Sequence, residues 1–149
     1  MTAALSYQKP IHLLHIEDNH SDALILKELI SEKFVDLEIS NAYDGDEAIK
    51  FLQQNLNNAP NAIILDLNLP RKKGTEVLDW IKKETLLRHI PIIVLTTSML
   101  EEDVTFCYRH YANVYLRKPK NLDEYIQVVS QITDFWFSLA VLPDKDLMN

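Results

Sequence analysis

The chain has 149 residues, of which 47% are hydrophobic and 25% charged, and its formal net charge is −7. The length suits one domain with a single core, and the acidic charge argues against broad attraction to nucleic acid or to an anionic membrane. No apolar run approaches the ~20 residues of a membrane span, the N-terminus lacks an export signal, and the single Cys107 cannot form an internal disulfide, so we expect a cytoplasmic location.

Five short apolar segments read as strands, and each is followed by a segment with helical periodicity. The third has four apolar residues in a row, "AIIL", before Asp66, which is typical of a strand buried on both faces. Asn19 or Ser21 is the expected N-cap of the first helix. The predicted strands are residues 11–16, 37–43, 61–66, 90–97 and 113–119, and the predicted helices are residues 20–34, 44–54, 74–85, 101–111 and 122–140.

Strict alternation of strand and helix predicts an α/β fold, a single doubly wound (βα)5 parallel sheet of flavodoxin-like order 2-1-3-4-5. We expect one domain over residues 1–149, with a core of about 10–135 and an apolar extension over about 136–149. The chain contains only two glycines, Gly45 and Gly74, so it has neither a dinucleotide-binding fingerprint nor a Walker loop.

Polar side chains cluster where the predicted strands end. Because ligand sites of parallel sheets lie outside the carboxyl ends of the strands, these side chains should surround one crevice. Taken singly, each would be an ordinary solvated strand end, but their joint occurrence indicates a site. The residues concerned are Glu17 and Asp18 after the first strand, Asp66 at the third, Thr96 and Thr97 at the fourth, and Lys118 at the fifth.

Five motifs in this order resemble a response-regulator receiver domain. They are "ED" (17–18), "DGDEA" (44–48), "DLNLPRKKG" (66–74), "VLTTS" (94–98) and "YLRKP" (115–119). The resemblance spans roughly residues 10 to 135. "HIEDNHSDALIL", "VLTTS" and the aromatic tail are similar, more narrowly, to the small stand-alone regulators that work with cyanobacterial phytochromes.

The resemblance implies a signalling protein rather than an enzyme. Asp66 would accept a phosphoryl group from a histidine kinase, of phytochrome type in the narrower resemblance, and Lys118 and Thr96 would contact the phosphoryl oxygens. Three nearby carboxylates repel one another by about 4 kcal/mol per pair at ~4 Å, and Mg²⁺ would relieve this repulsion. The implied metal site comprises Asp18, Asp66 and the backbone carbonyl of Asn68, with Glu17 acting through water.

The resemblance also implies a switch in which Thr96 moves towards the phosphoryl group and Tyr115 turns inward. The alternative is that Tyr115 is an ordinary strand aromatic packed on the last helix. Few residues follow that helix, so output is expected through protein contacts. Many receivers have glycine where this chain has Tyr111, and a left-handed turn would be strained there, so we expect a different turn, using Asn113.

The last helix has a second apolar stripe that the sheet should not cover, and this stripe predicts a homodimer. Alternatively, the segment after Trp136 folds back over its own domain. The predicted interface residues are Phe135, Trp136, Phe137, Leu139 and Leu142.

Two other functions compete with the signalling hypothesis. A phosphatase with an aspartyl-phosphate intermediate would need an acid two residues after Asp66, where this chain has Asn68. A pseudo-receiver that binds a partner constitutively would not need the intact acids, Thr96 and Lys118. The five histidines and Cys107 read as structural or exposed residues.

Overall fold

The computed structural model describes residues 10–144, which form a five-stranded parallel sheet with helices on both faces. Strand order is β2-β1-β3-β4-β5, which confirms the predicted topology. Residues 1–9, where no export signal was predicted, and residues 145–149 of the predicted extension lie outside the described part. The strands are β1 (Ile11–Ile16), β2 (Leu37–Ala42), β3 (Ala62–Leu65), β4 (Ile92–Thr96) and β5 (Val114–Arg117).

The helices begin where the capping residues of the sequence indicate. Asn19, Asp44 and Asn121 each accept a hydrogen bond from the backbone N–H three residues further on, so Asn19 and not Ser21 caps the first helix. Within residues 10–144, no helix is long and apolar enough to cross a membrane. The helices are α1 (His20–Lys33), α2 (Gly45–Gln54), α3 (Gly74–Lys83), α4 (Glu101–Arg109) and α5 (Leu122–Asp134).

Apolar side chains pack on both faces of the sheet because successive strand residues point to opposite faces. On one face, Leu14 and Ile16 of β1 pack with α2, α3 and Cys107 of α4. On the other face, Leu13 packs with α1 and α5. All four residues of β3 are buried, as expected for a central strand covered on both sides.

The segment after α5 folds back over its own domain. The chain leaves α5 in a wider turn of π-helix (Phe135–Leu139), closed by a 2.7 Å hydrogen bond from the Ala140 N–H to the Phe135 carbonyl. Phe137 and Leu142 are each only 7% exposed and pack on the α1–α5 face. Asn61, at the start of β3, donates a 3.2 Å hydrogen bond to the carbonyl of Pro143.

The prediction that the whole apolar tail is exposed is therefore wrong for Phe137 and Leu142, which belong to the core. Leu122, the first residue of α5, is 58% exposed. Phe135 (50%) and Leu139 (73%) are exposed as predicted, and Trp136 is half-buried.

The turn between α4 and β5 does use a left-handed residue. Tyr111 has φ 68°, and the N–H groups of Tyr111 and Ala112 close the helix end on the carbonyls of Tyr108 and Cys107. The prediction of a different turn built on Asn113 was wrong. The side chain of Asn113 instead accepts a 2.9 Å hydrogen bond from the Ile92 N–H, which fixes the start of β5 beside β4.

Candidate functional site

The side chains predicted to meet at the carboxyl end of the sheet do meet there. The ammonium of Lys118, after β5, donates hydrogen bonds to Glu17 Oε1 at 2.5 Å and to Asp66 Oδ2 at 3.0 Å. Glu17 and Asp66 are almost completely buried, at 1% and 4% exposure, and the side chain of Lys118 is 5% exposed. The site is therefore a buried ion-pair network rather than a set of solvated strand ends.

Asp22, in the first turn of α1, is a member of this network that sequence reasoning missed. Its Oδ2 accepts a 3.0 Å hydrogen bond from the Lys118 ammonium. Acids are common in first helical turns because the helix dipole favours them, so Asp22 had an ordinary explanation. The available signal was its position three residues after the cap Asn19, which places it at the same end of the sheet as Glu17 and Asp18.

Three of the acids form a group that fits a divalent cation. Glu17, Asp18 and Asp66 each offer a carboxylate oxygen, and these oxygens lie within 4.8 Å of one another. It is the only such group of acids, histidines or cysteines among residues 10–144. Hard cations such as Mg²⁺ prefer oxygen ligands of this kind, and a cleft of about 540 Å³ opens beside Asp18 and Asn68.

The charges within the network are distributed unevenly. Burial and the nearby charge of Asp66 raise the pKa of Glu17 to about 8. Burial alone would raise the pKa of Asp66 as well, but the charge of Lys118 and hydrogen bonds from Glu17, Asn68 and Thr96 lower it below its ordinary value. Burial alone would lower the pKa of Lys118, but its hydrogen bond to Glu17 and the charge of Asp66 raise it. Asp66 is thus held ionised beside a permanent cation.

The loop after Asp66 is shaped by two close backbone approaches, and each requires a glycine. A Cβ on Gly74 would lie 2.3 Å from the Asp66 carbonyl oxygen, and one on Gly45 would lie 2.0 Å from the Lys72 carbonyl oxygen. The Gly74 N–H also donates a 3.0 Å hydrogen bond to the Leu67 carbonyl. Gly74 therefore lets the start of α3 pack against the peptide that presents Asp66, and Gly45 lets the start of α2 pack against the end of the same loop at Lys72.

The two predicted switch residues are joined through the loop after β4. Thr96 is fully buried beside Asp66 and contributes to lowering the pKa of that carboxyl. The hydroxyl of Tyr115 donates a 3.1 Å hydrogen bond to the carbonyl of Ser98, whose N–H donates to Thr96 Oγ1 at 3.3 Å. Tyr115 packs on the α2–α3–α4 face, so the alternative of packing on the last helix was wrong.

The remaining candidates lie outside the network or only support it. The side chain of Asn68 donates a 2.8 Å hydrogen bond to Thr97 Oγ1, while its N–H donates to Asp66. Cys107 is buried on α4 as predicted, and burial together with the charge of Asp103 raises the pKa of its thiol to about 12. His12 and His15 are buried, and neither joins the metal-capable group.

Known proteins resemble this chain over most of its length. The family model described as the response regulator receiver domain matches residues 13–130. The chain is 41% identical over 138 residues to the response regulator Rcp1 of a Synechocystis species, an alignment that covers 90% of this chain and 94% of Rcp1. It is 32% identical over 135 residues to the probable methanogenesis regulatory protein FilR2 of Methanothrix harundinacea, covering 89% of this chain and 87% of FilR2.

Solved structures with the same fold include two regulators of this kind. The Mn²⁺-bound form of Rcp1 superposes with a TM-score of 0.87 at 40% identity, covering 91% of this chain and all of that one. The phosphorylated cyanobacterial phytochrome response regulator RcpA superposes with a TM-score of 0.85 at 39% identity, covering 91% of this chain and 99% of that one. The structure of Rcp1 thus contains a divalent cation, and the structure of RcpA is that of the phosphorylated protein.

Proposed function

The chain belongs to the response regulator receiver domain family, and from this premise we propose its function. Asp66 accepts a phosphoryl group from a histidine kinase, and the phosphorylated chain signals through contacts with other proteins. The observation that supports this most strongly is the buried ionised Asp66 with the Lys118 ammonium 3.0 Å away and two further carboxylates beside it. Phosphoryl transfer needs mainly such positioning and charge neutralisation.

Each residue of the network has a role in the transfer. A carboxylate oxygen of Asp66 attacks the phosphorus of the kinase phosphohistidine, a P–O bond forms, and the electrons of the breaking P–N bond return to the histidine ring. Lys118 then donates to one phosphoryl oxygen and the Thr96 hydroxyl to another. A bound divalent cation supplies positive charge to the oxygens of this group. Glu17, Asp18, Asp66 and the Asn68 carbonyl would hold that cation.

The direct test is incubation of the full chain with acetyl phosphate and Mg²⁺, followed by intact mass measurement. We expect the mass to increase by one phosphoryl group, and chelation of the metal should prevent the increase. No gain after prolonged incubation with Mg²⁺ present would contradict the proposal and favour a constitutive binding module.

The donor we propose is a phytochrome-type histidine kinase. RcpA, 39% identical to this chain, is described as a cyanobacterial phytochrome response regulator. Phosphoryl transfer from a purified phytochrome-type kinase should be faster than from a histidine kinase of another class at equal concentration. Equal transfer rates would contradict the pairing.

A cytoplasmic location stays a prediction.

Metal binding gives a prediction about thermal stability. Mg²⁺ should raise the melting temperature of the unmodified chain because the native acid group binds it and the unfolded chain does not. Asp18→Ala should abolish this rise and also raise the melting temperature without metal, since it removes a carboxylate that lies beside the ionised Asp66.

The control for this measurement is Asp36→Ala, which removes an exposed acid just before β2. It should retain the wild-type response to Mg²⁺. A response of equal size in Asp18→Ala would contradict the proposed metal site.

We also propose that the chain forms a homodimer through the outer surface of β5, α5 and the tail. An apolar groove of about 550 Å³ lies there, and its lining includes Leu116, Val128 and Trp136. Leu139 (73% exposed) and Val141 (65% exposed) stand on the same tail. A surface that offers both a groove and exposed apolar side chains can pair with its own copy about a two-fold axis, as a symmetric dimer requires.

Light scattering at tens of micromolar protein should give the mass of a dimer for the wild type and of a monomer for Leu139→Ser/Val141→Ser. Removing the tail would be a poor test because it also removes the buried Phe137 and Leu142. Val35→Ser is the control, because Val35 is 99% exposed in the α1–β2 turn, away from this surface. A monomeric wild type, with and without phosphodonor, would contradict the dimer.

A further inference from the structure

The Lys118 ammonium has as many acceptors as it has N–H groups. It donates to Glu17 at 2.5 Å, to Asp22 at 3.0 Å and to Asp66 at 3.0 Å. An ammonium carries three donors, so every one of them is used. The three acceptors come from three different elements: the ends of β1 and β3, and the first turn of α1. The position of the ammonium is therefore fixed in three directions.

Asp22 differs from the other two acceptors in what happens to it during the reaction. Glu17 and Asp66 belong to the metal-capable group, and their oxygens have other partners when a cation binds or when Asp66 becomes a phosphoester. Asp22 lies outside that group and forms no covalent bond in the proposed transfer. Its backbone is held in place as well, since the Asp22 N–H donates a 3.0 Å hydrogen bond to the side chain of the cap Asn19.

We propose that Asp22 is a positioning residue for Lys118, which it anchors while the other two acceptors change. This role rests on the proposed function of Asp66. When the P–O bond to Asp66 forms, the bond between phosphorus and the donor breaks, its electron pair leaves with the donor, and the carboxylate charge of Asp66 is replaced by the roughly −2 charge that the phosphoryl oxygens bring with them. One N–H of Lys118 turns from Asp66 to a phosphoryl oxygen, and the N–H that points to Asp22 stays where it is. The Lys118 side chain therefore contacts the phosphoryl group without first changing its rotamer.

An ordinary salt bridge that only stabilises α1 would have the same geometry, so the test must separate the two roles. The variant is Asp22→Asn, which keeps the shape of the side chain and removes its charge. The rate of phosphoryl uptake is measured on the full chain by intact mass, at saturating acetyl phosphate and saturating Mg²⁺. The matched control is Glu28→Gln, which neutralises an exposed acid of the same helix.

We expect the saturated uptake rate of Asp22→Asn to fall about tenfold, at the low end of the loss that follows from misplacing a reacting group. The Mg²⁺ concentration at half-saturation should stay near the wild-type value, because Asp22 is outside the metal-capable group. Glu28→Gln should match the wild type in both measurements.

A double-mutant cycle with Lys118→Ala identifies the route of the effect. In the Lys118→Ala background, Asp22→Asn should cause no further loss of rate, because the group that Asp22 positions is gone. A wild-type uptake rate in Asp22→Asn, or a full additional tenfold loss in the double variant, would overturn the positioning role. Failure of the wild type to take up phosphoryl would instead refute the proposed function of Asp66, and this role with it.

Discussion

Replacement of Asp66 by asparagine should abolish phosphoryl uptake from acetyl phosphate and from a kinase, to below the detection limit of intact mass measurement. The amide oxygen of asparagine is a far weaker nucleophile than the ionised carboxylate that Lys118 and Thr96 maintain at this position. The side chain is nearly the same size, so it should fit the buried site without disturbing β3. Because the folded state lowers the pKa of Asp66, its charge is net favourable there, so the variant should keep the fold and melt at or somewhat below the wild-type temperature.

The matched control for this substitution is Asp36→Asn, which changes an exposed acid just before β2 and should be phosphorylated at the wild-type rate. Uptake by Asp66→Asn at that same rate would show that the nucleophile is another residue. A collapse of the fold would contradict the expectation that asparagine fits this buried position.

Phe137→Ala should lower the free energy of unfolding by about 3 kcal/mol, the usual cost of removing a buried phenyl ring. Phe137 is 7% exposed, and its ring packs edge to face on the ring of Phe34, with the two ring centroids 6.2 Å apart. The tail residue thus stabilises the packing of α1 on the sheet. Urea denaturation followed by circular dichroism gives the free energy of unfolding.

Val35→Ala provides the comparison for Phe137→Ala, since Val35 is 99% exposed and should change the free energy of unfolding by less than about 0.5 kcal/mol. Both variants are compared with the wild type at one protein concentration, because dimerisation would add a term that depends on it. Equal midpoints for Phe137→Ala and wild type would mean that the tail does not stay packed in solution.

The parallel sheet and the meeting of Asp66, Thr96 and Lys118 could be predicted because strict alternation of strand and helix gives parallel strands, and 2-1-3-4-5 is one of the two common orders of such sheets. Parallel strands joined by helices bring all their carboxyl ends to one edge, whatever the details of packing. Asp22 escaped prediction because its contact with Lys118 joins residues 96 positions apart. Its position three residues after the cap Asn19 was a weak local signal, because acids at that position are common wherever the helix dipole favours them.

The tail was misjudged because its helical phase changes. The apolar stripe was extrapolated at 3.6 residues per turn, whereas the chain takes a wider π turn from Phe135 and so rotates the later side chains. This brings Phe137 onto the α1–α5 face, and Leu142 reaches the same face because the chain becomes extended at Ala140. At Tyr111 the error lay in the balance of energies, since a left-handed residue costs roughly 1–2 kcal/mol and two hydrogen bonds at the helix end offset it.

The close approaches at Gly45 and Gly74 bear on how descendants of this sequence can diverge. Close backbone contacts fix this loop near Asp66 and near Lys72. One inserted or deleted residue would therefore shift the peptide that presents the phosphoacceptor. Exposed positions of the same loop, such as Lys73, can exchange their side chains without disturbing either contact. Substitutions can therefore change the charge of this loop, whereas insertions and deletions should be excluded. Any change of kinase specificity that involves this loop must then arise by substitution.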